Sequence, residues 1–437
     1  MLAQVCLNPA FISIILLCIL CLRKVNVLLA IIISTIVGGL TAGMGIRTVM
    51  NVFISGMGGN SETALSYILL GAFAATMAHS GFTDVISNKI TKIVSGKKII
   101  LLSILTLIAM ASQNIVPIHI AFIPIIIPPL LHIMNELKID RRAVACVLAF
   151  GLKMPYIAIP AGFGLIFQNL IADNMVQNGV AVMRNEIWKS TLVLGLGMVV
   201  GLLIAVFITY RKPRNYEDTA ISNVALIKDT KFQPKHWIVM LAALATFVVQ
   251  LLTQSLPLGA LVGLGIIFSF GVIPQNKMDH MMNEGIYLMG YIAFVMLVAA
   301  GFASVLKETG AIDSLVTSTL AILPNNIIIT ALIILIIGLF ITIGIGTSFG
   351  TIPILAVLFI PVCLQMGFNT PQMIVLLAAA AALGDAGSPA SDTTLGPTAG
   401  LNADGQHNHI FDTCIPTFLH YNIALIIFAL IGIWIFG

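Results

Sequence analysis

The sequence predicts an all-α polytopic membrane protein built from two inverted repeats, with about ten transmembrane helices and two re-entrant hairpins. Three observations carry this. Hydrophobic residues make up 59% of the 437 and charged residues 9%, whereas soluble domains hold about 25% charged residues, so a soluble fold is excluded. Apolar runs at 10–22, 26–45, 62–80, 143–172, 189–210, 237–254, 258–273, 286–306, 372–400 and 413–436 mostly approach the ~20 residues a helix needs to cross a bilayer. Two further runs, 99–132 and 327–366, are too long for one crossing and are interrupted by small and polar residues. Hairpins that enter and leave on one side suit them better than single spans.

Basic residues test this layout independently, because cytoplasmic loops collect them. With Arg23 and Lys24 inside, alternation also puts inside Lys89, Lys92, Lys97 and Lys98, then Lys138, Arg141 and Arg142, then the basic residues of 211–236, then Lys277. Only Arg47, Arg184 and Lys189 fall outside, while Lys153 and Lys307 lie at membrane depth or its edge. Reading either long run as one crossing would reverse every loop after it, so the bias favours the hairpins, with both termini outside. The net charge of +4 is small, and short basic clusters between apolar runs speak for orientation rather than nucleic acid. No cleavable signal is expected, because the first apolar run follows no basic region.

The halves resemble one another weakly. Segment 72–84 aligns with 301–313 through Phe73/Phe302, Ala74/Ala303, Gly81/Gly310 and Asp84/Asp313. Each half holds three spans, a short amphipathic stretch (82–94 or 311–323), a hairpin, an interrupted helix and a last span. Five crossings per half is odd, which requires inversion. The domains are thus 1–210, with hairpin 99–132 and broken helix 143–172; a cytoplasmic linker 211–236 that includes Pro213 and Pro234; and 237–437, with hairpin 327–366 and broken helix 372–400. Six scattered cysteines show no metal-ligand spacing and suit small buried hydrophobes.

The chemistry gathers at the interruptions. Segment 384–400, GDAGSPASDTTLGPTAG, places two aspartates, two serines, three threonines, two prolines and four glycines between apolar runs. Hydrocarbon solvates neither carboxylates nor unpaired backbone, so this is the unwound middle of a broken helix facing protein or a water-filled cavity. Its companions are Ser112, Gln113 and Asn114 at the first hairpin tip, a break at 151–160 that contains Lys153, and Thr347, Ser348 and Thr351 at the second tip. Their oxygens suit a dehydrated cation, and freed helix N-termini suit a carboxylate. Alternatively, Gly and Pro only kink packed helices while Ser and Thr satisfy the freed backbone.

Asp385 and Asp392 stand out, since a carboxylate in a span costs at least ~3 kcal/mol and needs a partner or a function. Lys153 could stand where a cation would otherwise sit, with coupling through protonation of an aspartate, or it could form a static ion pair. His119 is a candidate proton relay or a histidine bonded within its hairpin. His79 and Glu308 read as interfacial, and His407 and His409 as solvated loop residues rather than metal ligands. With no nucleotide loop and no nucleophile–base pair, no enzyme, metal site or cofactor is expected beyond a transported or coupling Na+ or H+.

GDAGSPASDTT at 384–394 resembles the GD-x-x-SP-x-SDTT signature of the NhaC-type Na+/H+ antiporter family. SQNIVPIHIAFIPIIIPPLL at 112–131 and GLKMPYIAIPAGFGLIF at 151–167 resemble its YuiF-like branch of predicted amino acid transporters, histidine included. The resemblance covers nearly the whole chain. It implies a secondary carrier of the ion transporter superfamily in the bacterial inner membrane, with scaffold and transport subdomains, an elevator motion and a homodimer. Carried over residue by residue, the functional positions are the hairpin-tip polar groups with Asp385, Ser388, Asp392, Thr393 and Thr394. After Thr394 the chain continues Leu395-Gly396-Pro397-Thr398, where NhaC-type antiporters proper carry an asparagine-containing helix. That difference favours cation-coupled amino acid transport over plain Na+/H+ exchange, with an ion channel as the third reading.

Overall fold

The computed structural model describes residues 7–23, 25–82, 85, 97–114, 123–217, 232–253, 255–311, 326–345, 347–389 and 391–437. His119, Pro117 and most of the amphipathic stretches 82–94 and 311–323 lie outside them. Among the described residues all regular structure is helical. The first half contains α1 (Pro9–Leu22), α2 (Val27–Thr41), α3 (Ile46–Gly56), α4 (Ser61–His79), α5 (Lys98–Asn114), α6 (Ile123–Glu136), α7 (Arg141–Ala158), α8 (Phe163–Gln177) and α9 (Ile187–Ile204). The second contains α10 (Pro234–Thr253), α11 (Leu256–Ser269), α12 (Met278–Glu308), α13 (Ile327–Ile345), α14 (Ser348–Gln365), α15 (Thr370–Ala382), α16 (Asp392–Leu401) and α17 (His409–Ile435).

Helix ends fall where local chemistry can satisfy orphan backbone groups. Asn8 accepts from the backbone of Ala10 and Phe11 at the start of α1, Asn26 caps α2, Asp140 caps α7, and Asn369 with Gln372 forms a reciprocal capping box on α15. The Asn8 amide also donates to Ala311 O at 2.8 Å, tying the first helix to the end of α12.

Among the described residues four helices are long and apolar enough to cross a membrane, Arg184–Thr209, Met289–Glu308, Ser348–Gln365 and His409–Ile435, and α7 with α8, bent by 47°, passes as a fifth. Shorter apolar helices include four of the segments expected as full spans, Leu28–Thr41, Ala64–His79, Pro234–Gln250 and Leu256–Ser269, together with Lys98–Asn114, Ile327–Ile343 and Thr370–Ala382.

Two packing groups position the site. In one, α12 packs against α2, α3 and α4, while α1 pairs with α2 and α10 with α11. The backbones of α4 and α12 touch: a Cβ on Gly71 would lie 2.6 Å from Gly285 O, and one on Gly285 only 2.2 Å from Ala72 N. Helix α3 is an element the apolar runs do not mark. It buries only Val49 and Phe53, one turn apart, and so reads as loop from composition.

The second group is reciprocal. Helix α5 packs on α7 and α6 on α16, whereas α13 packs on α15 and α14 on both α15 and α8. The pair α5 and α6 therefore touches one helix of each half, as does the pair α13 and α14. The break expected at 151–160 is placed differently: α7 runs on through Lys153 and Pro155 to Ala158. Pro155 forfeits a single i→i−4 bond without ending the helix. Pro160 ends it, because the residue before a proline is driven out of the helical region, and Ile159 is extended at φ −109°, ψ 118°. Lys153 is accordingly a helical residue, not a break residue.

Candidate functional site

Asp385 lies in the turn between α15 and α16. Gly384 enters this turn at φ +80°, and a Cβ there would come 2.7 Å from both Leu339 O and Ile343 N of α13. Only glycine fits such a contact. Asn422 of α17 braces the turn, accepting from Gly384 N at 3.2 Å and donating to Ala386 O at 2.8 Å. Three hydroxyls converge on the Asp385 carboxylate: Ser348 donates to Oδ2 at 2.6 Å, Tyr156 donates to Oδ2 at 3.0 Å, and Ser391 donates to Oδ1. The Tyr156 and Ser348 hydroxyls are also 2.9 Å apart.

Lys153 completes the cluster. It is 0% exposed, and its Nζ stands 3.3 Å from Asp385 Oδ2, an ion-pair contact rather than a well-aligned hydrogen bond. Tyr156 follows Lys153 by three residues, so one face of α7 presents both. A buried pair of this kind persists only when its desolvation is offset by close approach and further hydrogen bonds, which the hydroxyls supply. Phe349 and Phe167 pack on the Tyr156 ring at 5.1 Å between centroids, and Tyr67 of α4 meets Phe349 at 5.7 Å, so an apolar wall excludes water on that side.

The remaining sequence candidates divide by role. Asn114, the last residue of α5, reaches the α7–α8 break, donating to Ala161 O at 2.8 Å. Gly162, at φ +57°, sits so close that a Cβ would lie 2.3 Å from Gln113 O. Gln113 is fully buried, and Ser112 donates back to Ala109 O in its own helix. Thr347 opens α14 in an extended conformation, and Thr351 donates to Ser348 O at 2.9 Å. Ser388 donates to Ile343 O, Thr393 to Asp385 O and Thr394 to Ser388 O, so these three shape the turn. Asp392, first residue of α16, is half-buried and within electrostatic reach of Tyr67. The structure thus joins Lys153, Ser348 and Asp385 directly, and it brings the first residue of α14 and the last residue of α5 onto α7 and its break, at Tyr156 and Ile159.

Tyr156, Ser391, Tyr67 and Asn422 join the site without having been candidates by composition or motif. Tyr156 is signalled by its spacing from Lys153, and Ser391 by its place inside the signature. Tyr67 and Asn422 stand in ordinary apolar runs that carry no signal.

A second polar cluster surrounds Arg141. Arg141, fully buried, grips Asp404 with two hydrogen bonds of 2.6 and 2.5 Å and donates to Leu401 O, fastening the start of α7 to the end of α16. Burial tends to raise the Asp404 carboxyl, but the Arg141 bonds outweigh it and hold it below the usual carboxylate range. Burial pushes the His407 imidazole down to about 4. The rings of His407 and His409 bond separately, to Thr413 Oγ1 at 2.7 Å and to Thr398 Oγ1 at 2.8 Å.

This is the fold of a helical membrane transporter. Over 90% of the chain it matches the Alcanivorax borkumensis YdaH transporter (TM-score 0.60, 13% identity, 89% of that chain). It likewise matches, over 90%, Neisseria gonorrhoeae MtrF, one of a class of antimetabolite efflux pumps (TM-score 0.60, 15% identity, 85% of that chain). The chain belongs to the Na+/H+ antiporter family: family models so described match residues 147–433 and 8–94. It falls in the YuiF-like branch, being 46% identical over 441 residues (98% of this chain, 99% of the relative) to Bacillus subtilis YuiF, provisionally named an amino acid transporter. An uncharacterized membrane protein of Vibrio parahaemolyticus is 46% identical over 439 residues (98% of this chain, 99% of the relative).

Proposed function

We propose that this protein is a cation-coupled amino acid carrier of the bacterial inner membrane, with histidine among its candidate substrates. The observation that carries the reading is the Lys153–Asp385 pair, sealed from water and clasped by hydroxyls from α7, α14 and the 383–391 turn. A fixed ammonium beside the carboxylate does what a bound Na+ would do for charge balance, so protonation of Asp385, rather than binding of a second cation, is the coupling step. Protonation would release Lys153 from its partner and leave the Ser348 and Tyr156 hydroxyls to regroup around a substrate carboxylate.

The reciprocal packing of hairpins and broken helices supports two inverted repeats of five crossings each. In that arrangement the hairpins and broken helices move as one unit against the α4–α12 group. The hairpin-tip groups Ser112, Gln113, Asn114, Thr347 and Thr351 then line the carried substrate or ion beside Asp392, and the working unit is a homodimer. The name borne by the relative YuiF favours the amino acid, whereas the family's own description favours exchange of Na+ for H+ without organic substrate.

Uptake of radiolabelled amino acids into proteoliposomes, under separately imposed pH and Na+ gradients, tests this. Saturable uptake driven by the pH gradient and lost in Asp385→Asn is expected. Dye-detected proton release on adding Na+ without amino acid would establish the exchanger, and pH-driven uptake unchanged in Lys153→Ala and Asp385→Asn would refute the coupling step.

A further inference from the structure

His79, His280 and Glu284 bring their ligand atoms within 4.8 Å of one another at one end of the α4–α12 pair. His79 Nε2 lies 3.0 Å from Glu284 Oε2, and His280 Nε2 lies 3.1 Å from Glu284 Oε1. The two rings stand 5.7 Å apart, edge to face. Two features hold the three in place. His280 and Glu284 are one turn apart on α12, on a single face. Gly285 is locked against Ala72 of α4, so the last turn of α4, which ends at His79, can only lie beside the first turns of α12.

From this we infer a transition-metal site of two imidazoles and one carboxylate that bridges α4 and α12. With metal–ligand bonds of ~2.0–2.2 Å, a tetrahedral centre places its ligand atoms about 3.3–3.6 Å apart. The 3.0 and 3.1 Å contacts to Glu284 lie just short of that range, and drawing in the widest separation of the trio, which lies within 4.8 Å, requires rotation of the partly exposed side chains. The donors select the ion: Mg2+ and Ca2+ take oxygen shells, whereas two imidazoles and a carboxylate suit Zn2+ with its fourth position open. The side chains of His79, His280 and Glu284 are 38%, 60% and 36% exposed, so an ion can reach them from solvent. The cluster also shares its end of the molecule with Ser80, which accepts from His236 next to Lys235, and with Lys277 just before α12. On the distribution of basic residues that end is cytoplasmic, and the ion would come from the cell interior. Bound there, the metal cross-links α4 to α12 without touching Lys153 or Asp385.

The test uses the full chain, purified in detergent with any affinity tag removed, titrated with Zn2+ by calorimetry and with Co2+ by its visible absorption. One ion per chain is expected, with a melting temperature that rises as the site fills. His79→Ala should weaken binding at least about tenfold, since even losing a residue that only orients a ligand costs ~10-fold or more. Glu284→Gln serves the same purpose should His79→Ala fail to fold. His132→Ala should bind as wild type, because His132, which pairs with Glu136 on its own helix, is not one of the trio. Absence of binding to the wild type, or equal binding by wild type, His79→Ala and Glu284→Gln, would overturn the site.

Discussion

The Lys153–Asp385 pair makes an asymmetric prediction. Removing one member of a buried ion pair costs ~3–5 kcal/mol, because the survivor stays charged and dry. The survivors here differ. In Lys153→Met, the Asp385 carboxylate keeps the Ser348, Tyr156 and Ser391 hydroxyls, and hydrogen bonds to a charged group contribute ~1.5–3 kcal/mol each. The loss should therefore fall near the lower end, about 3 kcal/mol. In Asp385→Asn, the Lys153 ammonium, 0% exposed, keeps only a neutral amide and has no other hydrogen-bond partner, so the loss should approach ~5 kcal/mol. The double substitution removes both charges and should recover at least about 2 kcal/mol of the summed losses, the signature of direct coupling. Equilibrium unfolding of the four proteins in mixed detergent–SDS micelles measures the cycle. Losses that add to within ~0.5 kcal/mol, or a Lys153→Met loss larger than that of Asp385→Asn, would refute the arrangement.

Gly162→Ala should destabilise far more than Gly43→Ala. Both glycines have positive φ, so both substitutions carry the ~1–3 kcal/mol of backbone strain, but only at 162 does a Cβ also strike Gln113 O at 2.3 Å while Gly43 meets nothing within 4 Å; the same unfolding assay reads the excess that the clash adds. His407 has a folded pKa of about 4, below its ordinary ~6.5, so the unfolded chain binds the extra proton between those values. Its contribution is therefore complete above pH ~6.5 and lost as pH falls toward 4, and thermal melts of His407→Gln should flatten across that window. Asp404 has the opposite chemistry and a lower window: its carboxyl is held below the ordinary ~3.9, so its contribution is present above that value and disappears under more acidic conditions. Asp404→Asn should cost stability at neutral pH and remove the acid-side decline while leaving the His407 window intact.

Much of this site is readable in the sequence because polar groups at membrane depth have so few permitted explanations. A lysine and two aspartates in apolar runs must meet partners, and Gly, Ser and Pro in the middle of overlong runs must turn the chain. Two kinds of residue escape that reasoning. Helix α3 is amphipathic on only one narrow stripe, and its two buried positions leave no run to notice. Tyr156 and Tyr67 belong to apolar surroundings by their rings, and nothing in a tyrosine's own chemistry says whether its hydroxyl is spectator or ligand.

The geometry of the turn decides which of Asp385 and Asp392 is the partner of Lys153. The two aspartates stand seven residues apart in the same signature and look equivalent by composition. Between them the chain leaves α15 at Leu383, reverses through the positive-φ glycines 384 and 387, and starts again when Ser391 caps α16. Asp385 is therefore carried into the gap between two helices, where Ser348 and Tyr156 meet it from α14 and α7, whereas Asp392 occupies the first turn of a new helix, a place where a carboxylate already meets the positive end of the helix dipole. The carboxylate left without that local compensation is the one that draws the lysine.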